Sequence, residues 1–518
     1  MAQAFSAAGA VAAPAIGGEA GSKPQLSLTR ILEMNLGFFG LQFSFGLQQG
    51  NMAPIYSYLG AQEAALPILQ LAGPMTGLIV QPIIGAMSDR TDSRFGRRIP
   101  YFIIGAILCA LGLFFMPLAQ SIIMAASLLW ILDAGNNITM EPYRAYVSDR
   151  LNESQHNAGF LTQSAFTGLA QACALGTPAL LVGFFGIDRD ATGGGSSGPV
   201  LSIAYLLVAT LLFLILLRVL QRIVRQNLFL PVAAVATVIY GVLAWWMYGN
   251  AQQLAQHNQI PDTVYIVFAV GAVLSLSTIL WSVLRVPELP LSETQRAEIA
   301  RQPKTAGATL AEIWHAVREM PVPMRKLGVM MLFQWYAMGI YWTYVTYSIA
   351  RSVYNTTEPV SDGFRQAVLD NGTMGAFYNL VAFFAALTMM PLIRAIGPKK
   401  VHAIALVCGG IAMLLIPQVT SSSWLLPAAI GVGICWGSIM GTPYVMLASC
   451  IPPQRTGVYM GIFNMMIVIP MLLNAATFPF YYEPLLGGDA RNALMLAGVL
   501  LICAALAVLR VRDNELGT

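Results

Sequence analysis

Charge is what this chain has least of. Of its 518 residues only 10% are Asp, Glu, Lys or Arg, while 57% are hydrophobic; an ordinary soluble domain carries about a quarter charged residues. A chain so composed cannot clothe a core in charge, which excludes a water-soluble globule and points to lipid. Cysteine is scarce too. Cys109, Cys173, Cys408, Cys435, Cys450 and Cys503 all fall in apolar stretches without CxxC spacing, which argues against a disulfide framework or metal site and reads as packing thiols. Of the four histidines none lies in the middle of an apolar run. With no nucleophile–base set either, no enzyme, metal or organic cofactor is expected. The net charge of +4 is too small to imply a nucleic-acid partner. Residues 1–25 are rich in Ala, Gly and Ser and lack a basic segment ahead of an apolar core, so they read as a disordered cytoplasmic tail rather than a secretory signal.

What the chain does have is long apolar runs. Fourteen, from 30–59 to 489–510, are long enough to cross about 30 Å of hydrocarbon. With both termini in the cytoplasm, 23 of the 28 Lys and Arg lie on that side. Arg189, Arg351, Arg365 and Arg491 lie opposite, and Arg144 lies within a span. This asymmetry follows the positive-inside rule. The expectation is a multi-pass protein of the cytoplasmic (inner) membrane, monomeric in the bilayer.

The two halves echo each other. Gly96-Arg97-Arg98 corresponds to Gly397-Pro398-Lys399, and Pro142-Tyr143 to Pro443-Tyr444, both about 301 residues apart. The expected fold is therefore an all-α polytopic membrane protein of two six-helix bundles with an inserted helix hairpin. The first bundle takes 26–199 and 249–285, the hairpin 200–248, a cytoplasmic linker 286–325, the second bundle 326–510, and a tail 511–518. Within the linker, Thr309-Leu310-Ala311-Glu312 reads as a capping box.

The fourth run carries the chemistry. A bare carboxylate at mid-helix costs about 2.5–3.5 kcal/mol in lipid, yet this run holds Asp133, Glu141 and Arg144. At 100° per residue Asp133, Asn137, Met140 and Arg144 share a face, flanked by Asn136 and Glu141. Asp133 and Arg144 are three turns apart and cannot pair, whereas Glu141 and Arg144 can. Asp133 is therefore the expected proton acceptor, with Arg144 and Glu141 assisting. Pro142 removes a helical hydrogen bond beside this stripe. A sugar site needs amides for hydroxyls and aromatic faces for the C–H side of a ring. Asn136, Asn137 and Gln42 supply the first. Trp335 and Trp342, seven residues apart, supply the second, with Trp436 and Asn464 as further candidates. The loop after the second run holds Asp89, Arg90, Arg94, Gly96, Arg97 and Arg98. It is the expected cytoplasmic gate, with Asp89 reaching the neighbouring bundle and Gly85 allowing close helix approach.

The loop Ser88-Asp89-Arg90 to Arg94-Phe95-Gly96-Arg97-Arg98 and the span Leu132-Asp133-Ala134-Gly135-Asn136-Asn137 to Pro142-Tyr143-Arg144-Ala145 carry a resemblance. So do Val286-Pro287-Glu288, Tyr378-Asn379-Leu380-Val381 and Gly457-Val458-Tyr459-Met460-Gly461-Ile462-Phe463-Asn464. They resemble plant sucrose–proton symporters and their bacterial relatives, of the glycoside–pentoside–hexuronide branch of the major facilitator superfamily. The resemblance implies that Asp133 accepts proton and sugar and that Arg144 is required for transport. It also implies a disaccharide substrate such as maltose, sucrose or another α-glucoside. Glu141 stands where plant members have glycine, and the hairpin 200–248 is outside their twelve-helix plan. A sodium-coupled symporter would place paired acids on two helices, and a non-transporting sensor a long soluble domain. Neither feature is present in the sequence.

Overall fold

In lipid a backbone must satisfy its own hydrogen bonds, and a continuous apolar run does so as a helix. The computed structural model describes residues 23–93, 95–187, 198–223, 226–257, 260–289, 293, 296–297, 317–448, 450 and 456–511. Among these, fourteen helices have fifteen or more residues: α1 (Leu28–Tyr58), α2 (Ala72–Arg90), α3 (Ile99–Phe115), α4 (Ile122–Arg150), α5 (Glu153–Phe185), α6 (Gly198–Ile223), α7 (Gln226–His257), α8 (Asp262–Arg285), α9 (Val322–Val353), α10 (Asp362–Ile396), α11 (Pro398–Leu415), α12 (Leu425–Ile439), α13 (Thr456–Leu486) and α14 (Ala490–Leu509). Eleven stretches are long and apolar enough to cross a membrane. Helices α1 and α9 are not among them, because buried amides such as Asn35, Gln42, Gln48, Asn51 and Gln334 interrupt their apolar character. Helix α6 contributes only the shorter apolar stretch Tyr205–Arg218.

Polar residues at the starts do the expected capping. Ser27, Ser121, Ser361 and Asp489 each accept a hydrogen bond from a first-turn N–H of the helix that follows. The capping box at 309–312 lies outside the described residues.

The duplication is visible in the packing. In the first bundle α1 packs on α8 and α5, α3 on α4 and α8, and α2 on α4. The second bundle repeats each pair as α9 on α14 and α13, α11 on α12 and α14, and α10 on α12. The bundles meet along α5–α10 and α2–α13. Between helices this close only glycine fits: a Cβ on Gly105 of α3 would stand 2.6 Å from the Gly135 carbonyl oxygen of α4. Across the bundles, a Cβ on Gly372 would stand 2.5 Å from the Leu175 carbonyl oxygen. Gly85 behaves otherwise, since among the described residues nothing lies within 4 Å of where its Cβ would be. The close approach expected there is absent.

The inserted segment forms two helices, longer than the runs that announced them. Helix α6 packs on α8, where Tyr205 Oη donates to the Phe114 carbonyl at 3.1 Å and its ring lies 5.8 Å from Tyr265. Helix α7 packs on α6, with Phe213 stacked on Tyr240 at 4.4 Å. Helix ends sort onto two faces. A basic face carries the α2–α3 loop and residues 286–289; the opposite face carries 59–65, 354–361 and 487–489.

Candidate functional site

Asp133 lies eleven residues into α4, about 16 Å at 1.5 Å per residue, and is only 4% exposed. Its Oδ1 accepts from Gln48 Nε2 of α1 at 2.9 Å. Asn136 Nδ2 donates to the same Gln48 at 3.3 Å, and Asn136 Oδ1 accepts from the Cys109 thiol at 2.8 Å. Asn137 Nδ2 donates to Thr76 Oγ1 at 2.9 Å and to the Asp133 carbonyl at 2.8 Å, and its Oδ1 accepts from Gln81 at 2.5 Å. In this conformation every polar atom of both asparagine side chains is engaged by protein. Gln42 sits apart from these groups and accepts from Gln171 Nε2 at 3.1 Å. Arg144 pairs with Glu141 at 2.9 Å, the partner its spacing indicated, and α4 runs through Pro142 without a break.

The second bundle supplies rings. Trp335 lies 6.3 Å from both Trp342 and Trp436, and Trp342 meets Trp436 edge-on at 5.5 Å. The shared face of Trp335 and Trp342 is thus real, and Trp436 of α12 completes a three-ring cluster. The Trp335 indole N–H is buried and has no hydrogen-bond partner among the described residues. Asn464, on α13, is elsewhere and accepts from Tyr444 Oη at 3.5 Å. Behind the rings His402 is fully buried with both ring nitrogens engaged. It opens an apolar helix rather than sitting amid one, so hydropathy gave no reason to single it out.

On the basic face Asp89 does not reach the second bundle. It pairs with Arg98 at 2.5 Å, because Gly96 at φ +106° turns the loop back on itself. Arg98 also donates to Ser88 Oγ at 2.6 Å and to Asp149 at 3.0 Å, and Arg97 pairs with Asp149 at 2.5 Å. Glu288 accepts the backbone N–H groups of Arg97, Arg98 and Ile99, each at 2.7 Å, which places a carboxylate on the N-terminus of α3. Burial raises the Glu288 carboxyl above its ordinary range, against the pull of those three donors. Arg94 and the side chain of Arg90 lie outside the described residues.

The bundles are tied at the opposite face by residues the sequence did not single out. Glu63 pairs with Arg351 of α9 at 2.8 Å and accepts from Tyr482 Oη of α13 at 2.6 Å. Tyr344 donates to the Glu63 carbonyl at 2.8 Å. Tyr347 bonds the Ala53 carbonyl at 2.9 Å and the Ser57 hydroxyl. Glu63 and Arg351 are separated by 288 residues, so no local pattern announces the pair.

A helical chain with two equivalent bundles, a polar helix seam and eleven membrane-length apolar stretches is a multi-pass membrane protein of the major facilitator fold. Solved structures agree. A nucleoside transporter superposes with a TM-score of 0.64 over 93% of this chain and 100% of the other at 12% identity. A D-xylose–proton symporter gives 0.56 over 94% and 98% at 14% identity. Two sequence profiles match, Major Facilitator Superfamily over residues 232–475 and MFS/sugar transport protein over 56–135. Each profile covers less than half of the chain, and both agree with the major facilitator fold. Among curated relatives, a sucrose transport protein of Arabidopsis thaliana is 35% identical over 126 residues, 21% of this chain and 25% of that protein. The general alpha-glucoside permease of Schizosaccharomyces pombe is 29% identical over 154 residues, 26% and 28% of the two chains. The matched stretches thus span about a quarter of these relatives' length.

Proposed function

We propose that this chain is a proton-coupled symporter that imports a disaccharide, an α-glucoside such as maltose or sucrose, by alternating access, with Asp133 as proton acceptor. The observation that carries the reading is Asp133 itself. Its carboxylate is buried mid-helix on one amide hydrogen bond, while the arginine of its own helix is taken by Glu141. A carboxylate held by an amide can take up and release a proton; one locked to a guanidinium holds its charge. The partial matches to sucrose and α-glucoside transporters support the substrate class.

In this reading the basic face is cytoplasmic, both termini lie there, and the membrane is the cytoplasmic one. The ties from Glu63, Tyr344, Tyr347 and Tyr482 then close the outer side. At 4% exposure Asp133 exchanges its proton only as the bundles rock. Trp335, Trp342 and Trp436 offer ring faces to the sugar, and the asparagine amides would exchange protein partners for hydroxyls.

The test is uptake of labelled maltose and sucrose into proteoliposomes under an imposed pH gradient, beside a sodium gradient at constant pH. Accumulation is expected with the proton gradient. Accumulation driven by sodium alone would replace the coupling ion in this reading. Sugar binding without flux would turn it into a sensor.

A further inference from the structure

We propose that His402 is a positioning residue for the tryptophan cluster: by bridging α9 and α12 it sets the rotation of the two helices that carry Trp335, Trp342 and Trp436. The proposal rests on the reading of that cluster as the sugar site.

His402 projects from α11, a helix that contributes no indole to the cluster. Its Nε2 lies 2.9 Å from Gln334 Oε1 of α9, and its Nδ1 lies 2.8 Å from Ser438 Oγ of α12. Ser438 Oγ is in turn 3.0 Å from Thr442 Oγ1. A neutral imidazole has one N–H and one lone pair, so one ring nitrogen donates and the other accepts, while the Ser438 hydroxyl donates to Thr442 Oγ1. His402, Gln334 and Ser438 have no exposed surface, so each bond left unmade stays unmade; no water replaces it.

The leverage is positional. Gln334 adjoins Trp335, and Ser438 is two residues from Trp436. At 100° per residue these offsets are about 100° and 200° around their helices. A hydrogen bond on the side of α9 and one on the back of α12 therefore fix where the indoles point. On a helix whose side chains reach about 5 Å from the axis, a 20° rotation swings an indole by about 2 Å. That is enough to undo edge-on contacts of 5.5 and 6.3 Å and to turn the unpartnered Trp335 N–H away from a ligand. An apolar side chain would fill the same volume but impose no rotation.

The experiment compares His402→Leu, His402→Gln and Ser438→Ala with the parent, full-length in proteoliposomes, using labelled maltose and sucrose. Glutamine keeps one donor and one acceptor; leucine keeps neither. The expected result is a KM raised about tenfold in His402→Leu with maximal rate within about twofold. His402→Gln should lie within about threefold of the parent, and Ser438→Ala between the two. A sugar-free readout runs alongside. The near-ultraviolet circular dichroism of the coupled indoles should weaken in His402→Leu and persist in His402→Gln, with Trp436→Phe marking the signal left when both Trp436 contacts are gone. Unchanged KM and spectrum in His402→Leu, or equal damage in both His402 variants, overturns the proposal. If the parent takes up neither sugar, the sugar reading has failed, and the spectra alone decide positioning. If His402→Leu does not reach the membrane, Ser438→Ala decides by the same two readouts.

Discussion

Eleven residues from the first residue of its helix, α4 carries Asp133 and α12 carries Trp436. The two helices are counterparts in the duplicated fold, and Asn137 and Ser438 occupy positions 301 apart along them. Their surroundings have nonetheless diverged. In the first bundle Asn137 is held by Thr76 and Gln81, and a carboxylate sits one turn away. In the second, Ser438 is held by a histidine, and the neighbouring groups are indoles. A charge in the bilayer interior costs a few kcal/mol and is kept only where something uses it. Uncharged rings suit a neutral, ring-shaped ligand. In the proposed reading, one duplicated scaffold keeps the acid that takes the ion in one half and the ring faces offered to the sugar in the other.

The largest expected effect tests that separation directly. Under a gradient of about two pH units, one-to-one coupling permits about hundredfold accumulation, because each unit contributes about 1.36 kcal/mol. Asp133→Asn still accepts from Gln48 but cannot ionise, so accumulation should fall to about onefold while sugar exchange at equal concentrations continues. Trp436→Ala should do the converse. Loss of two edge-on ring contacts, each worth about 0.5–1.5 kcal/mol, raises KM about tenfold and leaves the accumulation ratio at saturating sugar intact. If each variant loses both properties equally, the two addresses are one.

How much of this was legible in the sequence differs between the halves of the argument. Helices, bundles and the hairpin follow from apolar runs, since lipid leaves the backbone one solution. Glu141–Arg144 and Trp335–Trp342 were legible because helical spacing dictates which side chains meet. Gln48 as the partner of Asp133 was not, because the two are 85 residues apart and only packing of α1 on α4 joins them. Glu288 was noticed as part of a motif, yet its role depends on the fold of a loop 189–191 residues earlier. The Asp89–Arg98 pair was not legible, because an acid near a basic cluster has many partners within reach, and the turn at Gly96 chose Arg98. Spacing reads contacts within a helix; contacts between helices need the fold.

The third effect concerns the tie between the two bundles. Breaking a buried ion pair costs about 3–5 kcal/mol, and an exposed pair is worth about 0–1. Arg351 and Glu63 side chains are 12% and 18% exposed, so Glu63→Gln should cost about 1–2 kcal/mol of closure, roughly a tenfold shift toward conformers open at that face. The measure is labelling of a cysteine placed at Gln62 by an impermeant maleimide, in a background lacking the exposed Cys173. Labelling that does not rise would mean that the ion pair adds nothing to the closure of this face beyond the tyrosine bonds and the helix packing.

The smallest effect probes the edge of the same tie. Asp489 caps α14, accepts from Arg491 at 2.7–3.2 Å, and lies 3.8 Å from Arg351. Burial pushes its carboxyl up, but the Arg491 hydrogen bonds and the two guanidinium charges outweigh it and hold it below its ordinary range. A depressed carboxyl stabilises the fold above its unfolded value and loses that contribution as pH falls through the folded one. With the group about a quarter exposed, screening keeps the contribution under about 1 kcal/mol. Asp489→Asn keeps a capping oxygen and loses the charge, so it should melt about one degree below the parent at pH 7. The gap should hold down to about pH 4 and close below it. A gap that widens on acidification would show that Asp489 acts there as a neutral cap, and that the charge of Arg351 is spent on Glu63 alone.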